Sequence, residues 1–140
     1  MKVEPLYEAE ITLEIPFHDL DPAGFAWHGH YAKYLELARC ELLKKFNYNY
    51  DAMTQSGFLW PIVEMQLRYV RPLRFGDRVK VHAALVEWEY RLRIEYLISN
   101  ATTGARLTKA STVQVAVSAS NGEMCLRSPD VLFERLGVPP

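Results

Sequence analysis

The sequence predicts an α+β fold. Three observations carry this: an alternating polar–apolar segment near the N-terminus, one long helical pattern just after it, and then a run of strand-like segments separated by short turn signals. No internal repeat, low-complexity tract or linker interrupts the 140 residues, so a single domain over residues 1–140 is expected.

Residues 8–17 place Ile11, Leu13, Ile15 and Phe17 on one face, the pattern of a half-buried strand. Residues 18–27 form a loop in which Pro22 biases Asp21 away from helical dihedrals and Gly24 permits a tight reversal. From about Gly29 to Phe46, Tyr31, Tyr34, Leu35, Ala38, Leu42 and Phe46 recur at steps of three and four. A helix of about 18 residues is roughly 27 Å long, and its apolar stripe needs a broad surface such as a sheet. Residues 47–57 read as a polar connection with one helical turn. Strands are expected over 60–73, 78–88, 89–99 and 107–118, with turns at Phe75-Gly76-Asp77 and at 100–104. Asn121-Gly122 signals a type I′ hairpin leading to a short edge strand, 123–127. Ser128 followed by Pro129 reads as an N-cap and first-turn proline opening a last helix that stops before Gly137.

Composition excludes several function classes. Hydrophobic residues make up 49% and charged residues 24%, and the formal net charge is -1, so nothing suggests bulk attraction to nucleic acid or an anionic membrane. A chain of this size buries about two-thirds of its unfolded surface and needs no staples. Its 2 cysteines, Cys40 and Cys125, form no Cys-x-x-Cys pair, and Cys40 falls within the helical pattern as a packed residue. The first ten residues carry three acids and no apolar core of a leader, and no apolar stretch approaches the length of a membrane span. A reduced, cytoplasmic setting is expected.

Chemistry concentrates between Phe17 and Tyr31. Asp19, Asp21, His18, His28 and His30 surround a proline and two glycines, and a helix follows at once. A carboxylate in a bent loop before a helix N-terminus sits beside free N–H groups and a partial positive charge, which also favours its ionised form. A carboxylate beside donors that can hold a developing oxyanion is the minimum equipment for acyl transfer. The plainer role for Asp21 is to close an Asx-turn before Pro22. Asp19 reads as structural, bonding loop amides, and His18 and His30 as loop and surface residues. A zinc site from His28, His30 and the two aspartates is disfavoured, because His-x-His points its rings apart at a helix start.

The loop in its setting resembles the hotdog-fold thioesterases of the 4-hydroxybenzoyl-CoA thioesterase type and their acyl-CoA relatives, including the Tol–Pal-associated ones. The residues that carry the resemblance are Asp19-Leu20-Asp21-Pro22-Ala23-Gly24, Trp27 and Tyr31, then Pro61-Ile62-Val63, Gly76-Asp77 and Glu87-Trp88. It covers roughly residues 8–127. It implies a long central helix wrapped by an antiparallel sheet, an active site at a dimer interface, and a homodimer or homotetramer. It implies Asp21 as nucleophile or general base on the thioester carbonyl, with the backbone N–H of His28 holding the oxyanion. It requires no metal and no cofactor.

The acyl group needs an apolar slot, for which Trp27, Tyr31, Trp60 and Ile62, with Phe25 and Phe58, are candidates, although each could equally fill core. The phosphates of CoA call for cations. Where the resembled enzyme has three basic residues after Glu-Trp, this chain has Glu89-Tyr90-Arg91, so only Arg91 carries over. Arg71, Arg74 and Arg93 are possible substitutes, and a carrier-protein thioester is the alternative substrate. The competing functions are a non-catalytic acyl-thioester-binding protein and a hotdog hydratase or dehydratase. The latter pairs histidine with a carboxylate in a different context.

Overall fold

The computed structural model describes residues 3–140; the first two residues of the expected domain lie outside that range. Ten regular elements follow one another: β1 (Tyr7–Glu14), α1 (Tyr31–Lys44), α2 (Tyr50–Gln55), β2 (Phe58–Leu59), β3 (Ile62–Tyr69), β4 (Arg78–Glu87), β5 (Leu92–Asn100), β6 (Arg106–Gln114), β7 (Val117–Ser118) and α3 (Asp130–Leu136). The five longer strands form one antiparallel sheet in the order β1-β4-β5-β6-β3. Alternation decides which face is core. Ala9 pairs with Ala83, Val81 with Ile98 and Leu85 with Ile94, all buried, and α1 lays Leu35, Ala38 and Leu42 onto this face over β1 and β4. The opposite face carries Glu8, Glu10, Lys80, His82, Glu95 and Lys109. This is the hotdog arrangement, and the expected fold class holds.

At the far edge, β3 is nearly all exposed. Ile62, Val63, Met65 and Tyr69 are large apolar residues left in solvent on a strand whose outer backbone edge is unpaired among the described residues. Bare edges of this kind are ready templates for a second chain.

Several boundaries differ from expectation for identifiable reasons. The helical pattern begins as a 3-10 turn, His28–His30, before α1 proper. The strand expected over 60–73 breaks at Pro61 and leaves the sheet after Tyr69. The N–H groups of Val70 and Arg71 both turn to Leu107 O at 3.0 Å. The strand expected to 118 stops at Gln114, and residues 117–118 pair instead with β2. The Asn121-Gly122 turn is not type I′: only Gly122 has positive φ (73°), and Asn121 Oδ1 accepts the Glu123 N–H at 2.9 Å. The edge strand expected after it reduces to one Val117–Met124 bridge. Ser128 is not the cap of α3, since its Oγ donates to Trp88 O at 2.6 Å and Pro129 takes the cap position. The helix ends at Gly137, φ 72°, as expected.

Candidate active site

The Asp21 loop is a small pinned hairpin. Leu20 bridges Ala26, and the Asp21 N–H donates to Phe25 O at 2.7 Å. Gly24 supplies the reversal at φ 87°. The loop is fastened to the segment before β4 by the Ala26 N–H on Leu73 O at 2.8 Å and a Phe25–Arg74 bridge. Asp21 Oδ1 accepts the N–H groups of Ala23 (3.0 Å) and Phe25 (3.1 Å). The Asx-turn geometry therefore forms, and it uses one carboxylate oxygen. Oδ2 has no hydrogen-bond partner among the described residues, so the turn orients the carboxylate without consuming it.

Asp19 is the buried anchor, 2% exposed. Its carboxylate does not bond loop amides. Oδ1 takes Lys33 Nζ at 2.9 Å and Oδ2 takes the Tyr34 hydroxyl at 2.7 Å, both from α1, while its backbone carbonyl accepts the Trp27 N–H at 2.9 Å. Burial alone would raise its pKa. The hydrogen bonds from Tyr34 and Lys33 and the Lys33 charge outweigh burial and hold the carboxyl below the usual range. Burial and the Asp19 bond push the Tyr34 hydroxyl far up, so it stays a donor. His18 is exposed as expected. His30 is only partly exposed, its Nε2 3.9 Å from Asp19 Oδ1.

His28 opens the 3-10 turn, and Trp27 before it is extended (ψ 135°). The first N–H of such a turn has no carbonyl within the turn to meet it, which leaves the His28 amide as a donor. Trp27 folds its indole over Gly29: a Cβ at Gly29 would fall 2.1 Å from Trp27 Cζ3, so any larger residue there must displace the indole. Tyr31, 2% exposed, packs edge-on to Tyr69 at 4.8 Å between ring centroids, and burial raises its pKa. The Tyr69 hydroxyl reaches His28 O at 3.4 Å. Tyr69, Gly29, Lys33 and Tyr34 thus belong to the site although sequence reasoning did not single them out. Their positions at helical or strand spacing read only as fold. Gly29 beside Trp27 was the one signal of a close approach.

Asp21, Trp27, His28 and Tyr31 lie along one loop and the helix entry it leads into, with the Asp21 charge felt at the Tyr31 hydroxyl, and the other expected residues lie elsewhere in the chain. Trp60 is buried, donating from Nε1 to the Tyr48 hydroxyl at 3.1 Å, with Gln114 Nε2 on its carbonyl at 2.7 Å. Ile62 and Leu92 both register with Gln114. Arg91, next to Leu92, holds Glu87 through Nε at 2.5 Å. These three lie at the Gln114 end of the sheet, while Tyr69 and the Asp21 loop lie at the other. Eight residues of β3, at roughly 3.3 Å each, separate the ends by about 23 Å. A groove of about 710 Å³ on the outer face of the sheet and a cavity of about 350 Å³ around residues 86–91 are both lined without any residue of the Asp21 loop.

The family model that matches the chain covers residues 15–134 and is described as the thioesterase-like superfamily. A Synechocystis protein provisionally named an esterase, sll0410, is 30% identical over 128 residues, 91% of this chain and 77% of that one. YneP of Bacillus subtilis, provisionally named an acyl-CoA thioesterase, is 26% identical over 113 residues, 80% of this chain and 81% of its own. The crystal structure of Slr0204, a 1,4-dihydroxy-2-naphthoyl-CoA thioesterase from Synechocystis, superposes with a TM-score of 0.81 over 93% of this chain and 96% of that one, at 19% identity.

Proposed function

The chain belongs to the thioesterase-like superfamily, and from that premise we propose that it hydrolyses an acyl-CoA thioester to the free acid and the thiol. The observation that carries this lies at one loop: an Asp21 carboxylate oriented through Oδ1, and an Oδ2 and a His28 N–H at the entry to α1 that have no hydrogen-bond partner among the described residues. The thioester carbon would sit between them. Asp21 Oδ2 attacks it, or takes the proton of the water that does. The His28 N–H receives the oxyanion, a contribution of about 3–4 kcal/mol to barrier lowering for one such donor. The C–S bond then breaks and the thiolate takes a proton. Where Asp21 is the nucleophile, water then hydrolyses the acyl–Asp21 anhydride to release the acid. Where it is the base, the attacking water is already part of the acid. The test is thiol release over short, medium, long-chain and aryl CoA thioesters. Turnover on one of them is expected, and silence on all would overturn the reading.

The site needs a second copy of the chain. On the outer face of β3, Glu64, Gln66 and Arg68 form a charge pattern complementary to its own reverse. If two β3 strands pair antiparallel about Gln66, Glu64 of each copy faces Arg68 of the other. Glu64 is exposed, and its one hydrogen bond among the described residues comes from Gln66 Nε2 at 3.0 Å on the same strand. This register sets the partner's Ile62 opposite Val70, next to Tyr69 and therefore beside His28. Residues that lie at opposite ends of one protomer are then united across the seam. Opposed charges across strands contribute about 0.2–1 kcal/mol each, and there are two such pairs by symmetry. Arg68→Glu is thus expected to weaken the dimer by about twofold to thirtyfold through the lost attraction alone, and Glu64→Arg with Arg68→Glu to restore it, as read by sedimentation. A single variant with wild-type association, or a double variant that stays weak, would rule out this register.

A further inference from the structure

We propose that the adenosine bisphosphate end of the substrate's CoA is held by Arg71, Arg74 and the Phe17–Phe75 pair, at the tips of the loops that flank the Asp21 hairpin, with the pantetheine arm running from there to Asp21, and not by the turn after β4. This rests on the thioester reading above. Phe17 and Phe75 are exposed (74% and 61%) and stand edge to face at 5.8 Å between centroids. Two phenyl rings left in solvent cost hydration without filling core, and they offer a platform for a purine face. Arg74 lies over the Phe25 ring, its guanidinium carbon 5.7 Å from the centroid. Phe25 also donates its backbone N–H to Asp21 Oδ1 at 3.1 Å, which ties the Arg74 segment to the hairpin that holds the candidate carboxylate. Neither Arg71 nor Arg74 forms an ion pair among the described residues. The nearest acid in that turn, Asp77, spends Oδ2 on the Arg74 backbone N–H at 2.9 Å. Two planar cations with no ion-pair partner among the described residues, in the same short segment as Phe75, match phosphates linked to a purine.

The turn after β4 has the opposite character. Arg91 is committed to Glu87, and Glu89 stands in the same cavity with Arg127 3.9 Å away. A phosphate arriving there meets carboxylates first.

The experiment compares kcat/KM for one acyl group carried on CoA and on pantetheine, in the wild type, in Arg71→Gln/Arg74→Gln, in Phe75→Ser and in Arg91→Gln. Calorimetric titration with adenosine 3′,5′-bisphosphate accompanies it. The wild type is expected to prefer CoA by about tenfold or more, the contribution of charge-assisted contacts to phosphate. The arginine double variant should lose that preference and the nucleotide binding together. Phe75→Ser should weaken both, and Arg91→Gln should keep both. A preference that survives in the double variant, or that vanishes in Arg91→Gln, overturns the assignment. So does a wild type that shows no nucleotide binding and acts only on thioesters of a carrier protein. If no thioester is cleaved the functional reading fails, while the titration still decides whether this corner takes the nucleotide.

Discussion

Replacing Asp21 with asparagine is expected to lower kcat by about 10²–10⁴-fold, the usual contribution of a positioned acid–base group, with the fold unchanged. The reason lies in the division of labour between the two carboxylate oxygens. Oδ1 accepts the Ala23 and Phe25 N–H groups, and the carbonyl of an asparagine side chain accepts the same pair, so the loop keeps its shape. What asparagine cannot supply is a basic or nucleophilic oxygen in place of Oδ2. Thiol release in stopped time courses, with the melting temperature beside it, reads both parts. A variant that keeps the wild-type kcat would remove Asp21 from the chemistry. Alanine is the less informative substitution, since it unties two loop amides at once and mixes a structural loss with a chemical one.

The second large effect belongs to Asp19, and it falls on stability. Asp19→Ala strips the partner from the Tyr34 hydroxyl, which is 3% exposed and cannot turn to water, at a cost of about 1–3 kcal/mol. Lys33 is half exposed and rehydrates, so it adds little. Asp19→Asn keeps an acceptor for Tyr34 and should cost less than alanine. It also changes the pH dependence. The Asp19 carboxyl is held below its unfolded value, near 3.9, so between the two values the unfolded chain binds more protons. The contribution of Asp19 to stability is complete above the unfolded value and is lost as pH falls through the lower, folded one. Urea midpoints between neutral and acid pH should therefore fall less steeply in Asp19→Asn than in the wild type. Equal slopes would mean that Asp19 carries no folding-linked proton.

Much of this arrangement was legible in the sequence where one residue settles one local question. The alternation of Ile11, Leu13 and Ile15 marked β1, the stripe Tyr31–Leu42 marked α1, and Gly137 marked the end of α3. The errors came where side chains competed with backbone pairing. Ser128 bonds a distant carbonyl rather than its own helix, and the strand expected over 60–73 begins only after Pro61 and ends at Tyr69. Asn121 uses its side chain to close a turn that would otherwise need a left-handed backbone. The loop motif pointed to Asp21 and His28, but not to how the loop is held. That depends on Lys33, Tyr34, Tyr69 and Leu73, which are distant or ordinary in sequence and meet only in three dimensions. Trp60, Ile62 and Arg91 could be named from the chain as site residues, but their separation from Asp21 by the length of β3 could not be read there.

That separation has a genetic reading. If each reaction centre takes Asp21 from one copy and Ile62 from the other, lesions at the two ends of the sheet complement one another. A protomer with Asp21→Asn and a protomer with Ile62→Asp are each inactive as homodimers. Mixed, they assemble heterodimers in which one centre collects both lesions and the other collects neither. Two dead alleles expressed together would recover part of the activity that neither has alone, and the recovered fraction would follow the proportion of mixed pairs.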